Sequence, residues 1–266
     1  MIEKNRIPKI IHYCWFGGKE IPDKLKMIMS TWKILENSGY ELKCWNESNC
    51  SFDENEFVRR AYMEKRWGYL GDYYRAKALY EYGGIYLDTD VFIHDKFDDL
   101  LKLPAFIGFS SDCLIGTAII GAEKGSSFMK GIMNMYDNDA FATEKSYLGE
   151  CSVENIYSGE NWVPSNEPWT WYMLSNIKGF KLNNRVQSFD EVVVFSKKYF
   201  ELGNPFGHYY CRHDNTNLWR EQALNVHPVV KFKRWLEKNP FFWMMIRRCK
   251  SKYIQRKSSL YKYRTM

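Results

Sequence analysis

The run GDYYRAKALYEYGGIYLDTDV, Gly71 to Val91, decides how this 266-residue chain is read. Its first half has helical spacing and halts at Gly83-Gly84, a natural C-terminal stop for a helix. Three residues of strand character follow, Ile85, Tyr86 and Leu87, and then Asp88 and Asp90 stand one residue apart. In a strand-like Asp-x-Asp both carboxylates can point to one side, because side chains repeat with period two. Like charges held so close are costly unless something neutralises them. A hard divalent cation does so, and Mg2+ in particular takes one or two carboxylates with water and phosphate oxygens completing its shell. Ligands of open α/β sheets bind at the carboxyl ends of strands, which is where this pair falls. The pattern therefore points to a metal–diphosphate site. Asp137-Asn138-Asp139 has the same spacing but follows a helix into a polar stretch, and without the strand context it is read as a chance match.

Asp72 and Arg75 are three apart in the helical part of the run and so share a face. Arg75 could bind phosphate or hold Asp72 in place, and Asp72 could accept hydrogen bonds from sugar hydroxyls. The alternative is an ordinary surface ion pair, which contributes almost nothing.

Outward from this run, Ile7 to Phe16 reads as a buried strand broken by Gly17-Gly18, and Pro22 to Leu35 has helical apolar spacing. Tyr40–Trp45 is a short strand, and Phe57–Trp67 and Tyr69–Tyr82 are helices. Strands Ala105–Phe109 and Leu114–Gly121, helix Ser127–Tyr136 and strand Val192–Phe195 follow, with loops expected from Asn138 to Asn166. Strands alternating with helices predict an α/β architecture on a mostly parallel sheet.

Nearly half the residues are hydrophobic, so a sizeable core is expected. The N-terminus lacks the apolar core of a signal peptide, and no apolar run reaches the length of a spanning helix. The seven cysteines show no C-x-x-C pair, which argues against a disulfide framework or zinc site and for a reducing cytoplasm. From Lys231 to Met266 there are 12 Lys/Arg and one acid, a net +11; the remainder holds 26 basic and 31 acidic residues, a net −5, and the two make the chain's +6. The basic charge belongs to the tail, and a nucleic-acid partner is not expected. The chain is divided into a catalytic domain, 1–228, and a basic, partly apolar segment, 229–266, expected to be helical. The tail's apolar block, Phe241 to Ile246, is flanked by bases and suits an anionic membrane surface, with packing on the body or on a partner protein as the alternatives.

IPKIIHYCWFGG (Ile7–Gly18), the Gly71–Val91 run and HDNTNLW (His213–Trp219) together resemble the DXD-containing sugar transferases of glycosyltransferase family 32. That family includes bacterial capsular polysaccharide enzymes and yeast initiating mannosyltransferases, and is distantly similar to the glucosylating clostridial toxins. The resemblance implies a GT-A fold, a nucleotide-sugar donor (UDP-linked in the bacterial type), Mn2+ or Mg2+, and retention of anomeric configuration. It also implies a glycan or lipid-linked glycan acceptor in surface polysaccharide synthesis; the expectation that the enzyme sits on the cytoplasmic face of the membrane comes from the basic tail, which lies outside the resemblance. By the same resemblance Asp88 and Asp90 are the metal-binding pair, with Asp90 the more direct ligand, and Asp72 and Arg75 grip the donor sugar and phosphate. Tyr86 lies near the donor. Trp15 stacks on the nucleobase, its alternative being a core tryptophan. His213 closes the metal site, and Trp219 belongs to a closing loop. Two departures stand out. Gly71 replaces a frequent Ser, and His213-Asp214 replaces a pair of histidines, which leaves the third protein ligand open between these two.

ENWVPSNEPWTWYM sets Trp162, Trp169 and Trp171 close together, a candidate acceptor platform if they are not core. Two rival functions share these features: a metal-dependent phosphoryl-transfer enzyme, which would want more carboxylates and a basic groove where this body is net acidic, and a catalytically inactive carbohydrate-binding adaptor, against which the intact Asp72, Arg75, Asp88 and Asp90 speak.

Overall fold

The computed structural model describes residues 5–137, 164–204 and 207–216, and in the C-terminal segment positions 242, 245–246, 249, 252–253, 256 and 258–264. Nine strands are described: β1 (Ile10–Cys14), β2 (Glu41–Trp45), β3 (Gly84–Leu87), β4 (Val91–Ile93), β5 (Ala105–Phe109), β6 (Ile115–Ala122), β7 (Gln187–Ser188), β8 (Val193–Phe195) and β9 (Cys211–His213). The helices are α1 (Asp23–Met29), α2 (Lys33–Glu36), α3 (Glu56–Met63), α4 (Trp67–Tyr82), α5 (Ser127–Asp137), α6 (Asn166–Asn176) and α7 (Lys197–Phe200).

Seven strands form one sheet in the order β2-β1-β3-β6-β5-β8-β7. The pairings β1–β2, β1–β3 and β5–β8 are parallel, while β6 runs against both β3 and β5 and β7 against β8. Five of the seven strands thus share one direction. This is the expected α/β architecture, a large mostly parallel sheet flanked by helices.

Both faces of the sheet are covered, which explains why the central strands read as continuous apolar runs. Alternation sorts their side chains between two cores. Tyr86, Ile107 and Ile120 lie on one side with residues of α3, α4, α5 and α6. Ile85, Leu87, Phe106 and Ile119 lie on the other with Trp32, Leu35, Phe97 and Phe200. Each fully buried side chain of this size contributes about 1.5–3 kcal/mol.

α4 is the central helix. It packs against α3 and α5 as well as β1, so even its polar residues Asp72 and Arg75 are enclosed. The preceding helix ends at Met63, short of the expected Trp67. Lys65 takes φ +54 there, and Arg66 N–H turns back to the Ala61 carbonyl. After α4, Gly83 and Gly84 carry φ +67 and +119, and a Cβ at either would meet backbone at 2.6 Å. Only glycine permits this exit into β3.

Several expectations shift. Pro22–Leu35 divides into α1, a 3₁₀ turn Ser30–Trp32 and α2. Most of the Asn138–Asn166 stretch lies outside the described residues, but its last residue opens α6. The expected tryptophan platform is corrected at Trp169, which is fully buried and donates from Nε1 to the Tyr136 hydroxyl at 2.9 Å; Trp162 lies outside the described residues. Leu260 is buried in the α4-side core and Arg264 bridges to Leu182, so the last described residues pack on the body.

Candidate active site

The site grows from the carboxyl edge of the sheet. β1 and β3 run side by side with Ile11 opposite Ile85 and His12 opposite Tyr86, so both end at the same edge. Past β3 the chain turns at once: Asp88 N–H donates to Ala118 O, and Val91 N–H returns to Asp88 O at 3.0 Å. β4 then leaves the main sheet and pairs antiparallel with β9, placing Val91 opposite His213. Asp214 N–H donates to Asp90 O at 3.0 Å. This small ribbon carries His213 to the aspartates.

One ligand atom from each of Asp88, Asp90 and His213 lies within 4.8 Å of the others. His213 Nε2 is 3.1 Å from Asp90 Oδ1 and 3.9 Å from Asp88 Oδ2. The second Asp90 oxygen accepts from Thr216 N–H at 2.7 Å and from its hydroxyl at 3.1 Å. Burial works to raise the Asp90 carboxyl, but the imidazole and both Thr216 donors outweigh it and hold it far below the usual carboxylate range. Burial likewise opposes charge on His213, and Asp90 and Glu201 overcome it, raising the imidazole well above its ordinary value.

These residues fit a divalent cation. Neighbouring ligands of an octahedral ion with bonds near 2.1 Å stand about 3 Å apart, close to the Nε2–Asp90 spacing. Two carboxylates with one imidazole are a donor set that a divalent cation can use.

Arg75 backs this cluster from α4. Its Nη2 lies 2.9 Å from Asp72 Oδ1 and 3.5 Å from Asp88 Oδ1, Nε donates to Gly71 O at 3.1 Å, and Nη1 donates to Thr117 O. The guanidinium sits 4.7 Å from the Tyr86 ring centroid, and the Tyr86 hydroxyl donates to Asp88 Oδ1 at 2.9 Å. The Asp72–Arg75 pair is therefore a buried pair and not a surface one, with side chains 9% and 6% exposed. Burial pushes the Asp72 carboxyl up to about 6, against Arg75 and a hydrogen bond from Ser165. Asp88 is the more open carboxylate, its side chain 28% exposed.

Trp15, one residue past β1, is half-buried and donates from Nε1 to Lys19 O at 2.6 Å; it belongs to neither core. Asp214 turns its carboxylate to Arg212 Nε at 3.2 Å, so His213 is the residue that meets the aspartate pair. Trp219 lies outside the described residues. Asp137 accepts from Asn55 Nδ2 at 2.8 Å, and Asn55 caps α3, which gives the chance Asp-x-Asp match a structural use on its first member.

Sequence reasoning missed Thr216 and Glu201. Thr216 lies inside the HDNTNLW run, so it was within reach. Glu201 has no motif around it.

Residues 22–106 match a family model described as "Glycosyltransferase sugar-binding region containing DXD motif". The chain is also 30% identical over 183 residues to inositol phosphoceramide mannosyltransferase 3 of Schizosaccharomyces pombe, covering 64% of this chain and 51% of that protein. The chain thus spans about half the length of that relative. Together they support a glycosyltransferase family. Two solved structures are similar: PaToxG glycosyltransferase (TM-score 0.45, 18% identity, 65% of this chain and 70% of that one), and a glycosyltransferase involved in glycosylation of the major capsid of PBCV-1 (TM-score 0.39, 10% identity, 72% and 84%).

Proposed function

We propose that this chain is a metal-dependent, retaining glycosyltransferase that moves a sugar from a nucleotide-sugar donor to a glycan or lipid-linked glycan acceptor. The observation that carries the reading is the convergence of Asp88, Asp90 and His213 at the carboxyl edge of the sheet, with both aspartates inside the span that matches the sugar-binding family model. Asp88, Asp90 and His213 would hold the cation. When bound, the cation supplies positive charge against the departing diphosphate, worth several kcal/mol. Arg75 fixes Asp88 from behind and adds a permanent positive charge to the same edge. Asp72 holds Arg75 in place and is the candidate acceptor of sugar hydroxyls. Trp15, exposed in part at the same edge, offers an aromatic face for a nucleobase.

A UDP-sugar is the preferred donor, from the bacterial resemblance. The relative is named for mannosyl transfer to inositol phosphoceramide, which supports a lipid-linked acceptor and puts mannose on the donor panel. The decisive experiment incubates the protein with Mn2+ and UDP-, GDP- and dTDP-sugars, GDP-mannose included, and follows release of nucleoside diphosphate. Release with one donor, abolished by chelator, is the expected result, and the anomeric configuration of the product tests retention. No release with any donor from a folded sample would leave a non-catalytic sugar-binding protein.

The basic tail is proposed to hold the enzyme on the cytoplasmic face of the membrane. Phe242, Met245 and Tyr253 are exposed there beside exposed Lys252 and Arg256, and each base near an anionic surface contributes about 1 kcal/mol. No helix among the described residues is long and apolar enough to cross a membrane. Full-length protein should co-sediment with anionic vesicles at low salt and not with neutral ones; equal behaviour with both would refute the membrane role.

A further inference from the structure

Glu201 follows α7 directly and is only 6% exposed. A carboxylate taken out of water needs close partners. Glu201 Oε2 lies 3.1 Å from His213 Nδ1, and Asn215 Nδ2 donates to Oε1 at 2.9 Å. The backbone repeats the connection: His213 N–H donates to Glu201 O at 3.1 Å, and Leu202 bridges to Arg212. The paired backbone thus sets the two residues side by side, and a ring that turned away would leave the buried Glu201 carboxylate without its imidazole partner.

The consequence lies in which nitrogen faces which neighbour. An ionised carboxylate only accepts, so the ring nitrogen opposite it carries a proton. Asn215 Nδ2 also lies 2.9 Å from Nδ1, but its two hydrogens are taken by Glu201 Oε1 and the His213 carbonyl, at 2.9 and 3.3 Å; Nδ1 is thus left to Glu201, and Nε2 points at Asp90 Oδ1, 3.1 Å away, where a cation would displace its proton. We infer that Glu201 is a positioning residue for the cation site: it keeps the proton of neutral His213 on Nδ1 and presents the Nε2 lone pair to the ion held with Asp88 and Asp90. This rests on the metal-site reading above. A carboxylate behind a metal-bound histidine fixes ring orientation and raises ligand basicity, and its loss typically weakens metal binding by about 10–100-fold.

The test measures Mn2+ binding to full-length protein without donor, counting free ion by electron paramagnetic resonance, together with a melting curve for each variant. Glu201→Ala should weaken Mn2+ by about 10–100-fold. Glu201→Gln, which keeps an acceptor but not the charge, should fall between it and wild type. If Glu201→Ala fails to fold, Glu201→Gln decides, and several-fold weaker binding is required of it. Folded variants that melt earlier but bind Mn2+ as tightly as wild type would overturn the inference while leaving the metal site standing. Wild type that binds no Mn2+ would overturn both.

Discussion

The two halves of the candidate site are built in different ways. Asp72, Arg75, Tyr86, Asp88 and Asp90 come from one continuous run, from the middle of α4 through β3 and its turn. Helix spacing pairs the first two, and the glycine exit and short strand deliver the rest. Glu201, His213 and Thr216 come from far along the chain and are brought in by the β4–β9 ribbon. The first half supplies a buried electrostatic frame, Asp72–Arg75–Asp88. The second supplies the candidate nitrogen ligand, His213, and clamps Asp90 through Thr216. The difference separates stability from function: damage to the Asp72–Arg75–Asp88 frame should unfold the protein, and damage to Asp90 or to the residues that clamp it should spare the fold and remove activity.

The sharpest break of that comparison is Arg75→Met, which strands Asp72 and Asp88 without their shared cation. Removing one partner of a buried pair costs about 3–5 kcal/mol, so urea unfolding should shift by that much; an unchanged midpoint would show that the frame does not carry stability. Next is Asp90→Asn. Its side-chain oxygen can still accept from Thr216, so melting should be close to wild type. Loss of the charged ligand should nevertheless lower turnover at least a hundredfold, which corresponds to about 2.7 kcal/mol. Donor hydrolysis within a few-fold of wild type would end the assignment.

The third prediction uses two histidines that live under opposite fields. His12 is fully buried beneath the α4–β3 turn, with Nε2 donating to Gly83 O at 2.8 Å and Nδ1 accepting from Trp45 Nε1 at 3.1 Å. Burial lowers it to about 4, so the folded state keeps it neutral while the unfolded chain, near 6.5, takes up a proton. Its contribution is therefore full above pH 6.5 and is lost as pH falls toward 4. Between pH 7 and pH 5 wild type should lose about 2 kcal/mol more unfolding free energy than His12→Gln. A constant gap between the two across that range would contradict the assignment. His213, raised by its carboxylates, acts in the opposite sense in the metal-free protein, and the variant comparison cancels its effect.

The smallest effect is expected at Gly71, where the family often has Ser. A Cβ there meets nothing closer than 3.8 Å, and the residue is in the interior of α4. Gly71→Ala should raise stability by up to about 1 kcal/mol, a few degrees in melting temperature. A marked loss would show that the packing of Cys14, Arg75 and Tyr86 around Gly71 cannot take a methyl group.

Much of the first half was legible in sequence because its signals are local. A helix pattern, two glycines, a short apolar strand and Asp-x-Asp all fall within one run. Even so, the burial of Asp72 and Arg75 was not legible, because an i,i+3 ion pair looks the same on a surface as under a second layer of helices. β4 and β9, three residues each, show no alternation long enough to detect. Trp169 looked like a sugar platform because aromatic spacing alone does not say which side is covered.

By itself the chain's sequence determined where the carboxylates would stand, since glycine conformations, helix spacing and strand alternation depend on near neighbours. It also set the charge split between an acidic body and a basic tail. Only the tertiary structure decided that His213 and not Asp214 meets the aspartates, that Thr216 locks Asp90, and that Glu201 stands behind His213. Those choices depend on the register of a non-local strand pair, and a shift of one residue would turn each side chain to the opposite face.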